Sequence, residues 1–533
     1  MSRYTQHFGA SFPKDLLGRR AQSEPWQLAL CERALRNPRG SRGFATHRER
    51  GWTKHCSGTI ARRAMAAPNR RAAATLPPAI VRRAQGRRMM PDLESQQHVL
   101  NACREHDVKF IRLWFTDILG MLKSAAITVE ELEHALADGI TFDGASIEGF
   151  ARTDEADMRI MPDPATFQLL PWRPRERAVA RMFCDIVTAN GQPFEGDPRY
   201  ILKQQIARAT AAGFTCYVSP EIEFFYFKDQ NGTEPLDSGG YFDLTPLDSG
   251  SDLRRETVLT LEDMGIPVAL SHHEASPSQH EIDLRYTDSL TMADSIMTYR
   301  LIVKEVAMRH GVYATFMPKP RTDYNGSGLH LQISLFRGEE NVFAADAAAA
   351  SGLSKTGEQF MAGLLRHAPE LMLVTNQWVN SYRRVVPGFE APTHATWSTR
   401  NHADLLRVPA HQADRPETAR IEYRVPDAAC NPYLVFAATL AAGLAGIEGA
   451  YTLPAPLDRD IRELTADEVA ARGITMLPSS LGEAIAAFEP SQLMRNTIGE
   501  HIAQSLITNK RQEWSLYRTE VSAYELRRYL STL

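Results

Sequence analysis

The sequence predicts an α+β protein with a small N-terminal domain and a larger α/β domain, and three observations lead there. Amphipathic helical stretches alternate with short period-2 strands from Pro91 onward. Pro-punctuated loops around Met161–Pro174 close a first unit of about 100 residues. From Arg199 the helices lengthen and the strands multiply.

Leu93 to Glu105 reads as an amphipathic helix, Val108 to Phe115 as a strand and Val129 to Asp138 as a second helix. The turn segment Phe142–Phe150 follows, then a strand near Ala178–Ile186. Arg199–Ala212 opens the larger domain, and a helical tail over Ile498–Leu530 closes it. The run Pro432–Ile447 is Ala-rich and 16 residues long, short of the roughly 20 that span a bilayer, so a buried helix and no membrane segment are expected. The domain limits read as 91–190 and 195–533.

The first 88 residues have a different texture. Residues 1–90 carry 19 Lys+Arg against 4 Asp+Glu, whereas the whole chain has a net charge of −4, so a basic preface precedes an acidic body. The segment reads as a disordered basic arm, a transit peptide or translated upstream sequence. It lacks the Ser-richness of transit peptides and the interleaved aromatics of a nucleic-acid arm. The pair Met89-Met90, just before the change of texture, points to a natural start there. Six scattered cysteines without a CxxC pair suit a reducing cytoplasm better than a disulfide framework or a thiolate zinc site.

The chemistry begins with strand alternation. In Glu221-Ile222-Glu223-Phe224 two carboxylates share one face. Glu281-Ile282-Asp283-Leu284 repeats the pattern, His330-Leu331-Gln332-Ile333-Ser334 repeats it with imidazole, amide and hydroxyl, and Arg420-Ile421-Glu422-Tyr423-Arg424 with two guanidiniums and a carboxylate. Taken singly, each is most simply a strand with a core face and a wet face. None carries Lys on its polar face, however. Side by side, they would converge several carboxylates on one imidazole, and such a cluster repels itself unless cations sit in it. Oxygen donors with a single imidazole and no thiolate select Mg²⁺ or Mn²⁺. Asn325-Gly326-Ser327-Gly328 leads into the His330 strand and reads either as a hairpin entry or as a close backbone approach to ligand. Pro387–Pro392, with Glu390 near its tip, reads as a surface turn or, beside a cation site, a lid.

Together, FDGASIEGF, PEIEFF, HHEASPSQHEIDLR, TFMPKP, NGSGLHLQIS, NSYRRVVPGFEAP and RIEYRVPDAACNPYL resemble the ordered motifs of the glutamine synthetase family, type I, over about residues 91–533. The resemblance implies a β-grasp-like N-terminal domain and a catalytic α/β domain with a curved antiparallel sheet. It also implies two stacked hexameric rings with sites between neighbouring subunits. It puts one ion on Glu223, Glu274 and Glu281 and another on Glu221, His330 and Glu422, with two or three Mg²⁺ or Mn²⁺ per site. Asn325, Gly326, His330, Arg384 and Arg424 would hold glutamate. Ser334, Gln332, Arg407, Arg420 and His402 would face ATP. Asp143, Ser146, Asp157, Tyr241 and Glu274 would hold ammonium. Asp143, Glu390, Arg384 and Arg407 would carry the chemistry, with Asp143 from the adjacent chain taking a proton and Glu390 closing the lid.

Departures from the family pattern are His402 for a phosphate-facing Arg, Gln332 for His, Glu417 for Lys and Ser278 for Gly. Arg462 stands where some members carry an adenylylated tyrosine, so no adenylylation is expected. Three activities are open: ligation of ammonia to glutamate, γ-glutamylation of a polyamine, ethanolamine or methylamine, and a non-catalytic oligomer. The intact ligand positions disfavour the last. No strand-associated GxGxxG supports a dehydrogenase, and the acidic body offers no nucleic-acid face.

Overall fold

The computed structural model describes residues 93–149, 157–345, 351–410, 415–457 and 459–533. The basic preface and its expected start at Met89-Met90 lie outside the described residues. So do Phe150 of the turn segment and the Pro91 end of the first unit.

The N-terminal part runs α1 (Leu93–Glu105), β1 (Phe110–Thr116), β2 (Leu122–Thr128), α2 (Leu132–Asp138), β3 (Ile140–Asp143), β4 (Asp157–Pro162), β5 (Gln168–Leu169) and β6 (Val179–Thr188). The sheet order is β2-β1-β6-β4-β3, with β5 on β6 and a parallel β1–β6 pair at its centre. Ile111, Leu113 and Phe115 alternate inward from β1 to meet Leu132, Ala135 and Leu136 of α2, forming a core of their own. The expected second helix starts later than its pattern, because Val129–Glu131 is a 3₁₀ turn.

The larger part continues with α3 (Pro198–Ala211), β7 (Thr215–Phe227), α4 (Ser251–Asp263), β8 (Val268–His273), β9 (Gln279–Leu284), β10 (Thr287–Asp288), α5 (Ser289–Arg309), β11 (Tyr313–Thr315), β12 (Leu329–Arg337), β13 (Glu340–Asn341), α6 (Lys355–Thr375), α7 (Ser381–Arg384), β14 (Trp397–Ser398), β15 (Leu406–Arg407), β16 (Ile421–Tyr423), α8 (Pro432–Glu448), α9 (Ala466–Ala471), α10 (Leu481–Phe488), α11 (Gln492–Tyr517) and α12 (Ala523–Tyr529). A ten-stranded sheet runs β14-β15-β16-β12-β7-β9-β8, antiparallel except for β14–β15. The four strands singled out by alternation are neighbours in it, in the order β16-β12-β7-β9. One face packs α5 and α8: Ile222, Phe224, Ile282, Leu331, Ile421 and Tyr423 are all fully buried there. Their polar neighbours are thereby forced to the other face.

The helix over Pro432–Glu448 is buried on almost every side, as its Ala-rich run requires. Among the described residues no helix is long and apolar enough to cross a membrane. The expected helical tail is interrupted twice: α11 is broken at Gly499 (φ 77°, ψ 158°) and ends at Tyr517, and Ser522 with Glu525 forms a capping box that starts α12.

A buried guanidinium bolts the two parts together. Arg199 donates to Asp185 Oδ1 at 2.7 Å and Asp163 Oδ2 at 2.9 Å from the first part, and forks onto Asp294 of α5 at 3.1 and 3.0 Å. Only such full pairing makes a buried charge tolerable.

Candidate functional site

Sheet register aligns the polar face in rows. His330 on β12 stands opposite Glu221 on β7, which stands opposite Asp283 on β9. The next row runs Glu223, Glu281 and His272 across β7, β9 and β8. Glu422 on β16 lies between Gln332 and Arg407. The four strand signatures therefore converge, and two groups of donor atoms lie within 4.8 Å of one another: Glu221 with His330 and Glu422, and Glu274 with Glu281 and His272.

The first group is the expected one. His330 Nδ1 is 3.4 Å from Glu221 Oε2, and burial followed by the charge of Arg424 keeps its imidazole neutral, as a ligand must be. Burial raises the Glu422 carboxyl, but the charge of Arg424 and the hydrogen bond from Arg407 act against it, and it is held below its ordinary value. Arg407 Nη1 donates to Glu422 Oε2 at 2.7 Å and Arg424 Nη1 donates to its other oxygen. Beside the second group, Glu223 stands opposite Glu281 across β7–β9. Its Oε2 accepts from the Gly328 N–H at 2.8 Å and the Gln279 amide at 3.1 Å, while Oε1 lies 3.9 Å from His330 Nε2. His272, which the sequence analysis did not single out, lies beside them, its Nε2 2.9 Å from Glu274 Oε1.

The carboxylates crowd. Burial, then Asp283, Glu223 and Glu274, push Glu281 well up; burial and then Glu274 push Glu223 up to about 7. Asp283 is also pushed up to about 7, chiefly by burial. Oxygen-rich donors that resist ionising together, with imidazole and no thiolate, fit hard divalent cations.

Beside this cluster lies a small enclosed pocket lined by Asn325, Gly326, Arg384, Arg424, His330 and Glu390, which gathers the expected glutamate residues. Arg384 is 3% exposed and anchored by Val425 O at 2.8 Å and Arg424 O at 3.1 Å. Glu390 follows Gly388 (φ 94°) and itself sits at φ 53°, a strained conformation for a non-glycine residue at a candidate lid.

Across Glu221 opens a cavity of about 300 Å³ lined by Ser334, Gln332, Arg420, Tyr217, Tyr286 and Glu417. Here the expected nucleotide residues divide. Ser334 Oγ donates to Ala419 O at 2.8 Å. The Gln332 amide is engaged at both ends, donating to Glu221 Oε1 at 2.8 Å and accepting from Arg420 Nε at 3.0 Å. Gln332 thus links Glu221 to Arg420. His402 lies elsewhere, in a cavity of about 430 Å³ shared with Glu390, Arg400 and Arg462. Burial, then Arg424 and Arg407, lower its pKa, so it offers no fixed positive charge. His402→Arg restores one, and KM for ATP is expected to fall about tenfold. Unchanged KM and kcat would show that the phosphates do not pass this position. Arg462 is exposed and forks onto Asp460.

The expected ammonium residues are split in a single chain. Asp143 and Asp157 face each other across β3–β4 at the edge of the N-terminal sheet, with Ser146 Oγ donating to Asp143 Oδ2 at 3.0 Å. Tyr241 stands instead beside His272, stacked on Phe242 at 4.2 Å. Ser278 sits at φ 61°, where the family pattern has Gly. Its Oγ offsets the strain by accepting from the N–H groups of Leu236 at 2.6 Å and Asp237 at 3.0 Å.

Comparison with known proteins agrees with this layout. A family model described as "Glutamine synthetase, beta-Grasp domain" matches residues 107–189, and one described as "Glutamine synthetase, catalytic domain" matches 195–529. A glutamine synthetase of Mycolicibacterium smegmatis is 49% identical over 442 residues, covering 82% of this chain and 99% of the relative. One of Methanosarcina mazei is 47% identical over 448 residues, covering 83% and 99%. Among solved structures, a GmaS/ADP complex aligns with TM-score 0.74 at 31% identity, covering 81% of this chain and 99% of that one. Plasmodium falciparum glutamine synthetase aligns with TM-score 0.74 at 27% identity, covering 82% and 98%. These matches define a ligase with a β-grasp domain ahead of its catalytic domain. The chain belongs to the glutamine synthetase family.

Proposed function

We propose that the protein is a glutamate–ammonia ligase, forming glutamine, ADP and phosphate by way of γ-glutamyl phosphate. The observation that carries this reading is the adjoining pair His330–Glu221: His330 lines a pocket with two buried arginines, and Glu221 lines a cavity of about 300 Å³. Arg384 and Arg424 suit a carboxylate. An oxygen of the γ-carboxylate attacks the γ-phosphorus of ATP and ADP leaves; ammonia nitrogen then attacks the acyl carbon and phosphate leaves. Mg²⁺ or Mn²⁺, held by Glu221, His330 and Glu422 and by the Glu274–Glu281 group, would neutralise the transferring phosphoryl charge. Arg407 and Arg420 face the phosphates, with Ser334, Gln332 and His402 lining the approaches. Glu390 excludes water, and Asp143 takes a proton from ammonium.

In this reading Asp143, Ser146 and Asp157 come from a neighbouring subunit to meet Tyr241 and Glu274, in a cytoplasmic homododecamer of two stacked hexameric rings. We keep 91–190 and 195–533 as the domain limits. A second reading, γ-glutamylation of an organic amine, draws support from the exposed Tyr241–Phe242 stack beside the acidic cluster, a surface suited to an alkylammonium ion.

ATP- and glutamate-dependent phosphate release, compared for ammonium, putrescine, spermidine, ethanolamine and methylamine, tests both. Turnover with ammonium is expected. Turnover only with an organic amine establishes the second reading, and none with any amine points to a non-catalytic oligomer.

A further inference from the structure

We propose that Asp237 is a positioning residue for the amine end of the site, clasping the loop that carries Tyr241 to the turn that carries Glu274. This rests on the reading of Tyr241 and Glu274 as amine-binding side chains, and it adds what sets their separation.

Two chain segments meet at this one carboxylate. The first is the turn between β8 and β9. His273, the last residue of β8, donates from Nδ1 to the Glu274 carbonyl at 2.7 Å, and its Nε2 lies 3.1 Å from Asp237 Oδ1. The same Oδ1 accepts from the Ser278 N–H at 2.8 Å. Both ends of the turn, Glu274 and Ser278, are therefore tied to a single oxygen. The second segment is the loop from Asp237 to Ser249, which Asp237 Oδ2 closes by accepting from the Ser249 N–H at 3.0 Å. Within that loop Phe242 N–H donates to His273 O at 3.0 Å. The stacked rings of Tyr241 and Phe242 are 60% and 53% exposed, so core packing does not place them. Their backbone does, and the clasp holds that backbone.

The side chains of Asp237 and His273 are almost wholly buried. Burying a carboxylate costs desolvation that its hydrogen bonds roughly offset, so what it yields is fixed geometry more than stability. The loop is shaped to the clasp. At Gly239 an added Cβ would lie 2.7 Å from His273 Nε2, so the backbone passes directly against the ring. Phe242 sits at φ 60°, a costly conformation for a non-glycine residue that persists only where its surroundings hold it. The consequence is selectivity. The clasp sets the space between Tyr241 and Glu274, and loosening it lets a larger ammonium head enter.

The test uses the full chain with Asp237→Asn, which keeps the size of the side chain and removes one acceptor oxygen. Hydrogen–deuterium exchange read by mass spectrometry is expected to speed up about tenfold in the peptides spanning 238–249 and 274–279, with β12 unchanged. In steady-state kinetics kcat/KM for ammonium is expected to fall about tenfold while KM for ATP stays within about twofold. The kcat/KM for methylamine relative to ammonium is expected to rise about tenfold (for a parent confined to organic amines, ethanolamine relative to methylamine). Unchanged exchange in either peptide, or faster exchange with an unchanged amine ratio, overturns the proposal and leaves Asp237 as a structural residue. No turnover by the parent with any amine overturns the ligase reading and the amine role with it, and exchange alone then decides whether the clasp exists. Gly239→Ala disturbs the same clasp from the loop side and gives the same two readouts if Asp237→Asn does not fold.

Discussion

Glu422→Gln is expected to lower kcat about a thousandfold and to weaken one bound Mn²⁺ by at least tenfold. It also lowers stability by about 3 kcal/mol, because Glu422 is 1% exposed and is the shared counter-charge of Arg407 and Arg424. The three effects have separate origins. The stability loss comes from two guanidiniums left without an anion, and it appears without metal or substrate. The metal effect comes from losing one of three converging donors. The catalytic effect adds the release of Arg424, whose Nε is otherwise fixed by His402 O at 2.9 Å. Denaturation of the metal-depleted protein, Mn²⁺ titration and steady-state kinetics resolve them. Glu422→Gln with kcat within threefold of the parent would remove Glu422 from the reaction.

Why Glu422 was legible in the sequence, and His272 was not, follows from sheet geometry. Over Thr215–Phe224 of β7, Leu329–Leu335 of β12 and Ile421–Tyr423 of β16 polar residues alternate with buried apolar ones, so a single strand reveals its own face: Ile222 and Phe224 mark the inside, and Glu221 and Glu223 must be on the other face. In Ser271-His272-His273-Glu274 two adjacent imidazoles point to opposite faces, and nothing local says which is which. The register of β8 also slips by a bulge between Val268 and Leu270, which defeats counting from the strand start. His273 turns the other way, to Asp237 Oδ1 at 3.1 Å, and serves the fold.

Other limits have equally local causes. Gln332 sits on the polar face as the alternation requires, yet its hydrogen bonds to Glu221 and Arg420 depend on the pairing of three strands. Asp143 and Tyr241 belong to different sheets or loops of one chain, so no periodicity within either could join them. The break in the tail did have a signal, the Ser522-x-x-Glu525 capping box, beneath a helical pattern that continued on both sides.

Gly328→Ala is expected to lower kcat/KM for glutamate about a hundredfold while leaving the fold intact. An added Cβ there would lie 2.6 Å from Arg384 Nη2 and 2.8 Å from His330 Nε2, nearer than carbon approaches such atoms. Neither neighbour yields cheaply. Arg384 is pinned to two backbone carbonyls, and His330 is confined beside Glu221 and Glu223. The strand entry is fixed as well, through Gly328 N–H donating to Glu223 Oε2. The methyl group therefore displaces a glutamate-binding residue and a metal-binding one together, and a displacement near 1 Å is worth about a hundredfold in rate. Mn²⁺ affinity should fall in parallel, while stability changes by only about 1–3 kcal/mol of overpacking. Gly232→Ala is the matched control, since nothing lies within 4 Å of its Cβ position. If Gly328→Ala kept kcat/KM within threefold of the control, the glycine would be a feature of the hairpin alone. The expected loss would instead make it the residue that lets the His330 strand pass beneath Arg384, bringing the carboxylate pocket against the metal cluster.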